Sequence, residues 1–210
     1  LEVEEGEYTA LAGPSGSGKT TLLNLIGCLD EPDSGTVSID GTLLGEMNEN
    51  QRSDYRKENL GFVFQSFNLI PVLTAAENVA LSLQLLNLPG DEVQERTMRA
   101  LEEVGLAGME DRLPSRLSGG QQQRVAVARA LVKQPRIVLA DEPTANLDSE
   151  TGSAILGLMR DLNEKHGTTF VFSTHDPMVM EMAKRLVHLH DGQITKDERR
   201  EASVPAGASS

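Results

Sequence analysis

The turn at residues 13–21, GPSGSGKTT, limits what this chain can fold into more than any other stretch. It matches the phosphate-binding pattern G-x-x-x-x-G-K-[ST], in which glycines leave backbone N–H groups free to line a concave anion site. An apolar run at 8–12 precedes the turn, and apolar residues at helical spacing follow it from 19 to 27. Strand, turn and helix in this order predict a phosphate site on an α/β sheet. The alternative interpretation is an ordinary glycine-rich turn between a strand and a helix.

Two polar residues close this turn and supply the chemistry that nucleotide phosphates need. Lys19 can reach the β and γ phosphates, and the hydroxyl of Thr20 can ligate Mg²⁺. The residues predicted to contact the nucleotide are Gly13, Pro14, Ser15, Gly16, Ser17, Gly18, Lys19, Thr20 and Thr21.

Strands and helices alternate along much of the remaining chain. Apolar and β-branched runs predict strands at 36–39, 60–64, 137–140, 168–173 and 186–189. Apolar spacing predicts helices at about 153–165 and at 176–185. Alternation of this kind predicts an α/β fold with a mostly parallel sheet.

Residues 71–132 lack an obvious strand and are predicted to be helical. Helix-capping patterns open three segments of this stretch, at Thr74 with Glu77, Asp91 with Gln94, and Ser118 with Gln121. We therefore predict a nucleotide-binding core at 1–70 and 133–195 with a helical subdomain inserted at 71–132. The remainder, 196–210, is predicted to be a disordered tail, since its end lacks apolar periodicity.

Polar side chains follow three of the predicted strands. Asp141 and Glu142 end IVLADE, His175 follows the strand at 168–173, and Gln65 ends LGFVFQ. The carboxyl ends of parallel strands face a bound nucleotide, so Asp141 can lie beside Mg²⁺. Glu142 can accept a proton from the attacking water or orient it, and His175 can hold the γ-phosphate. Gln65 can touch Mg²⁺ or the water. Taken singly, each of these residues also fits a structural or surface role.

The stretch LSGGQQQR at 117–124 contains a second glycine-rich helix start. As bare structure it is a capped helix in which Ser118 and Gln121 form the box. A helix N-terminus is also an anion site, and this one lies about a hundred residues from the chain's own phosphate loop. An anion site this far from the chain's own phosphate loop would have a function if it contacted a nucleotide bound by another copy of the chain.

Taken together, these motifs resemble those of ATP-binding-cassette ATPases. GPSGSGKTT, Gln65, LSGGQ, LADEP, the NLD at 146–148 and His175 stand in the order and spacing of that family, over residues 1–194. More narrowly, GFVFQSFNLIP, LTAAENV and LSGGQQQRVAVARAL are similar to cassettes that serve lipoprotein release, macrolide export, antimicrobial-peptide resistance and bacterial cell division.

The resemblance implies a P-loop NTPase, RecA-like fold and two copies that pair head to tail around two ATP molecules. LSGGQ of each copy then touches the ATP of the other through Ser118, Gly119, Gly120 and Gln121. The resemblance assigns Glu142 as catalytic base, His175 and Lys19 to the γ-phosphate, and Thr20, Gln65 and Asp141 to Mg²⁺. It also implies that Gln65 connects the site to a membrane subunit and that Asp148 crosses the dimer interface.

The chain departs from the family pattern at its start and at two internal positions. The family's antiparallel strands and its adenine-stacking aromatic residue lie upstream of the strand at 8–12, so we expect an incomplete antiparallel part and no adenine-stacking residue. Ala145 stands where the subfamily usually has Gly, and Ser173 where Val is common. We expect neither change to abolish activity.

The amino-acid composition limits which binding partners and which cellular location the chain can have. The formal net charge of −13, the aromatic content of 3% and the absence of Trp argue against a nucleic-acid partner. A single cysteine, Cys28, fits a reducing cytosol. No apolar run reaches the length of a membrane span, so any membrane part must come from another subunit. The resemblance implies that this subunit is an integral membrane permease and that the chain lies peripherally on the cytoplasmic face of the inner membrane. The apolar segment 67–73 is either a docking surface for that partner or part of the helical subdomain's interior.

Three functions remain after these arguments. The first is an ATP-hydrolysing motor of a membrane transporter, for export or lipoprotein release. The second is a cassette ATPase of a cell-division or other regulatory complex that moves no substrate. The third, a nucleotide-binding scaffold without turnover, is disfavoured because Lys19, Asp141, Glu142 and His175 are all present.

Overall fold

The computed structural model describes residues 1–200 and contains one large sheet and one short hairpin. The strands are β1 Tyr8–Ala12, β2 Ser38–Ile39, β3 Thr42–Leu43, β4 Leu60–Phe64, β5 Ile137–Asp141, β6 Thr169–Thr174, β7 Arg185–His190 and β8 Gln193–Arg199. The large sheet has the order β4-β5-β6-β1-β7-β8, and β2 pairs with β3 alone. Pairing in the large sheet is parallel except between β7 and β8.

In the described part of the chain, residues 1–200, seven α-helices surround these strands. They are α1 Lys19–Ile26, α2 Glu49–Asn59, α3 Ala75–Gln84, α4 Gly90–Glu103, α5 Gly119–Leu131, α6 Ser149–His166 and α7 Pro177–Met182. Within residues 1–200, no helix has both the length and the apolar content needed to cross a bilayer.

The core lies on both faces of the sheet because successive strand residues point in opposite directions. On one face, Leu23 of α1 packs with apolar residues such as Leu139 and Val171. On the other face, Tyr8 and Phe172 lie with their ring centroids 4.5 Å apart. Buried residues of α3, α5 and α6 cover this second face. The predicted α/β fold is confirmed, and β1 and β4 have the predicted bounds.

Helices α3, α4 and α5 contact one another, and α5 also contacts β4 and α6. The predicted capping boxes at Thr74 and Ser118 are formed, whereas the box at Asp91 is wrong. Helix α4 begins at Gly90, with Pro89 as its cap, so Asp91 lies inside the first turn. The division into a core and a helical subdomain remains a prediction, since α5 packs against the sheet as well.

Three other parts of the chain differ from the sequence prediction. Strand β8 runs to Arg199, so residues 196–199 belong to the sheet instead of to a tail, because they pair with β7. Helix α7 ends at Met182, and Arg185 already starts β7, which shortens the helix predicted at 176–185. Helix α2 was not predicted. The predicted tail from 201 onward lies outside the described residues.

Candidate nucleotide-binding site

The loop between β1 and α1 lies at the carboxyl edge of the sheet. A Cβ added to Gly13 would lie 2.2 Å from the backbone oxygen of Leu189, so only glycine fits this approach to β7. The hydroxyl of Ser17 is buried and has no hydrogen-bond partner among residues 1–200. The loop thus combines one position, Gly13, that has no room for a side chain with an unsatisfied polar atom, as a loop that closes around a ligand does.

Lys19 begins α1 and is almost entirely buried, with 7% of its surface exposed. Its Nζ donates hydrogen bonds to the carbonyl oxygens of Gly13 and Pro14, at 2.8 and 3.0 Å. These bonds hold the ammonium group inside the curve of the loop, where its charge can act on an anion bound there.

Thr20 and Asp141 bring a hydroxyl oxygen and a carboxylate oxygen together at the edge of the cleft. The hydroxyl of Thr20 donates to Oδ1 of Asp141 at 3.4 Å, which joins the first turn of α1 to the end of β5. Hydroxyl and carboxylate oxygens are hard ligands of the kind that Mg²⁺ prefers, and Mg²⁺ sites use few protein groups together with substrate phosphates. The donor set therefore fits the predicted ion.

Glu142 follows β5 in a left-handed backbone conformation, with φ 46°. Its N–H donates to the carbonyl oxygen of Ser173 at 2.9 Å, which ties this unusual turn to β6. Its side chain lies 2.7 Å from Nδ1 of His175 and accepts a hydrogen bond from Thr174 at 3.4 Å. The turn thereby aims the carboxylate along the sheet edge, towards the phosphate loop.

One cleft of about 580 Å³ brings most of the predicted residues together. Its lining consists of Pro14, Ser15, Gly16, Gly18, Lys19, Thr20, Thr21, Gln65, Asp141, Glu142 and His175. Gly13 and Ser17 do not line the cleft. The LSGGQ residues are not in its lining either, and their contact with a nucleotide of another copy remains a prediction.

The LSGGQ stretch is held by a capping box of its own and by close contact with α6. Ser118 and Gln121 exchange the two hydrogen bonds of a capping box at the start of α5. A Cβ on Gly120 would lie 2.5 Å from Cγ2 of Thr151, so this glycine permits close contact with α6. Asp148 caps α6, and hydrogen bonds from the backbone and side chain of Thr151 lower the pKa of its carboxyl group.

Three links between the motifs were not predicted. The amide of Gln123 donates to the carbonyl oxygen of Pro143, and the amide of Asn146 to that of Gln65. The hydroxyl of Thr144 donates to Asp176 at 2.9 Å. Each of these side chains stands within a few residues of a recognised motif, and that adjacency is the signal by which a search could have found them.

Comparison with known proteins gives a consistent family. A sequence model of the family described as "ABC transporter" matches residues 1–145. The uncharacterised ABC transporter ATP-binding protein MJ0796 of Methanocaldococcus jannaschii is 48% identical over 203 residues, covering 95% of this chain and 86% of that protein. The lipoprotein-releasing system ATP-binding protein LolD of Bacteroides thetaiotaomicron is 46% identical over 197 residues, covering 94% and 90%. The macrolide export ATP-binding/permease protein MacB of Rhodopirellula baltica is 46% identical over 206 residues, covering 97% of this chain but 30% of MacB.

Solved structures agree in fold as well as in sequence. The dimeric cassette MJ0796 in a post-hydrolysis state bound to ADP and Pi has a TM-score of 0.87 and 44% identity to this chain, covering 97% of it and 89% of the solved chain. A second dimeric structure of MJ0796 gives the same values. The chain therefore belongs to the ABC transporter family, in which it is an ATP-binding and ATP-hydrolysing cassette.

Proposed function

We propose that two copies of this chain pair head to tail around two ATP molecules and drive a membrane permease. One observation carries the proposal: the chain has two glycine-rich helix starts, and only one of them shares a cleft with Asp141, Glu142 and His175. A helix start without catalytic groups is useful when it completes a site on another copy. MJ0796, a relative of known structure, is a dimer.

The proposed roles within one site follow from the contacts of its residues. Lys19 and the backbone of the loop hold the phosphates, and His175 donates a hydrogen bond to the γ-phosphate. Thr20, Gln65 and Asp141 would hold Mg²⁺, which when bound neutralises charge on the phosphate oxygens. The partner supplies Ser118, Gly119, Gly120 and Gln121 on the opposite side of the γ-phosphate.

Glu142 is proposed as the general base. Only 16% of its side chain is exposed, and His175 and Thr174 fix its direction. The carboxylate accepts a proton from water while the water oxygen forms a bond to the γ-phosphorus. The bond between that phosphorus and the bridging oxygen of ADP breaks, and ADP and phosphate are released.

The membrane partner is proposed to dock on the segment 67–73 next to Gln65. Leu69 of this segment packs against the core, while 78% of Val72 and 37% of Ile70 are exposed. Exposed apolar side chains that follow Gln65 closely in the chain suit a protein contact. The names of LolD and MacB favour lipoprotein release or export, with the chain on the cytoplasmic face of the cell membrane.

The test uses the full chain with Glu142→Gln, which removes the base and should trap the ATP-bound dimer. The tagged variant is expressed in its source organism, membranes are solubilised in ATP, and co-purifying proteins are identified by mass spectrometry. A permease with a large extracytoplasmic domain supports export or lipoprotein release. A small division-type membrane protein supports the regulatory alternative, and recovery only in the soluble fraction contradicts a membrane role.

A matched control keeps the test specific. Glu181→Gln changes an exposed carboxylate in α7 that lies outside the cleft. This variant should hydrolyse ATP at the unmodified rate and should not accumulate as a dimer. If Glu142→Gln also releases phosphate at the unmodified rate, the assignment of the base is wrong.

A further inference from the structure

Gln123 lies one helical turn after the LSGGQ start and points into the protein. Its side chain is fully buried, with 0% of the residue exposed. Its Nε2 donates a hydrogen bond of 2.6 Å to the carbonyl oxygen of Pro143. Among residues 1–200, this is the one hydrogen bond between α5 and the loop 142–148.

The acceptor belongs to the residue that directly follows Glu142. Pro143 has no N–H group, so its carbonyl is the only backbone polar group through which this residue can be held. The N–H of Glu142, in the peptide before that residue, donates to the carbonyl oxygen of Ser173, and the carbonyl of Glu142 accepts from the N–H of Ala145. With the backbone of Glu142 held at both of these points, a displacement of the Pro143 carbonyl is taken up by rotation around Glu142, and this rotation redirects its carboxylate.

The other polar atom of Gln123 has no such partner. Its Oε1 is buried and makes no hydrogen bond to any of residues 1–200. A buried acceptor without a hydrogen-bond partner is unfavourable, so an apolar side chain of equal size would suit the packing at this position as well. The amide is thus better explained by its bond to Pro143 than by a contribution to stability.

We propose that Gln123 is a positioning residue that transmits the presence of the partner's ATP to Glu142 of the same chain. The inference rests on the proposed function, in which the start of α5 meets the nucleotide of the other copy. Helix α5 is a continuous helix of 13 residues, and Gln123 lies near its start, so a shift of the first turn moves Gln123 with it. The hydrogen bond then moves Pro143 and brings the Glu142 carboxylate into position. Each site would hydrolyse efficiently only when the other one is filled.

The first test compares two neighbouring glutamines of the same helix. Gln123→Met keeps the volume of the side chain and removes the donor, while Gln122→Met removes an amide that bonds instead to the carbonyl of Leu117. We expect Gln123→Met to lower kcat at least tenfold, since misplacement of a catalytic group by about 1 Å can reduce a rate about a hundredfold. Thermal stability and ATP-dependent dimerisation, the latter measured in the Glu142→Gln background, should stay unchanged.

The second test asks which of the two sites Gln123 controls. Mixed dimers are isolated with two tags, one protomer carrying Glu142→Gln so that only its partner's site can hydrolyse ATP. Gln123→Met is then placed either in the protomer with the intact Glu142 or in the protomer with Glu142→Gln. We expect the loss of turnover only in the first placement, because the amide acts on the Glu142 of its own chain.

Each result decides the question. Equal loss in both placements, or loss only in the second, would mean that Gln123 supports the LSGGQ helix, and the inference would be wrong. Activity within twofold of Gln122→Met would also overturn it. If Gln123→Met does not fold, Gln123→Leu takes its place, and failure of both contradicts the argument that the amide is dispensable for stability. Unmodified turnover of Glu142→Gln would instead contradict the proposed function.

Discussion

Oε1 of Glu142 lies 2.7 Å from Nδ1 of His175, and this contact joins the turns that follow β5 and β6. The two side chains differ in exposure to solvent: 16% of the Glu142 side chain is exposed, whereas 69% of the His175 side chain is exposed. The carboxylate is therefore the more enclosed member of the pair. The imidazole can turn towards a bound phosphate without disturbing the core.

His175→Ala should lower kcat for ATP by about 10²–10³-fold, the usual effect of losing one hydrogen-bond donor to a developing negative charge. The change also removes a contact that directs Glu142. The measurement is phosphate release at saturating ATP and Mg²⁺. The control is His166→Ala at the far end of α6, which should leave the rate within twofold, and a similar rate in His175→Ala would contradict the assigned role.

Gly13→Ala should abolish nucleotide binding. The added methyl group would lie 2.2 Å from the backbone oxygen of Leu189 and 2.7 Å from the hydroxyl of Ser17, and backbone cannot move aside as a side chain can. Overpacking of this kind destabilises a protein by about 1–3 kcal/mol and would here deform the loop itself. Fluorescent ATP-analogue titration and urea unfolding test the two effects. Gly45→Ala meets no atom within 4 Å and should change neither.

The parts of the site that the sequence predicts are those with a local cause. Asp141, Glu142 and Gln65 each follow an apolar run, and parallel pairing brings the ends of such runs to one edge. Ser118 and Gln121 are three residues apart and cap their helix as the spacing indicates. Short-range patterns of this kind need no knowledge of the rest of the chain.

The parts that sequence reasoning missed depend on distant contacts or have no apolar pattern. Helix α2 has no buried residue, so its sequence lacks the apolar periodicity by which helices are predicted, although Asn48 and Gln51 cap its start. Strand β8 is mostly exposed and is held by pairing with β7. The bond from Gln123 to Pro143 joins residues 20 positions apart that no spacing rule connects.

Arg185→Met should lower the free energy of unfolding by about 2 kcal/mol, the usual contribution of hydrogen bonds to charged groups, because it removes an almost buried guanidinium from two carboxylates. Arg185 donates two hydrogen bonds to Asp197 and two, at 2.9 and 3.2 Å, to Glu7, with 8% of its side chain exposed. Arg199→Met is the control, since 61% of that side chain is exposed and its loss should change stability by less than about 1 kcal/mol. Urea unfolding measures both, and equal effects would contradict the argument.

Glu103→Gln should destabilise the fold at neutral pH by about 1 kcal/mol and have no effect in acid. Burial would raise the pKa of Glu103, but the hydrogen bond from Lys165, at 2.6 Å, and the charges of Lys165 and His166 outweigh it, so the pKa is lowered. A lowered pKa stabilises the fold above the ordinary carboxyl value of 4.5, and this contribution disappears as the pH falls through the folded-state pKa. Urea unfolding from pH 7 down to about pH 2, below the lowered pKa of Glu103, measures the difference, with exposed Glu102→Gln as control. A difference that persists unchanged at low pH would show that packing, not charge, is responsible.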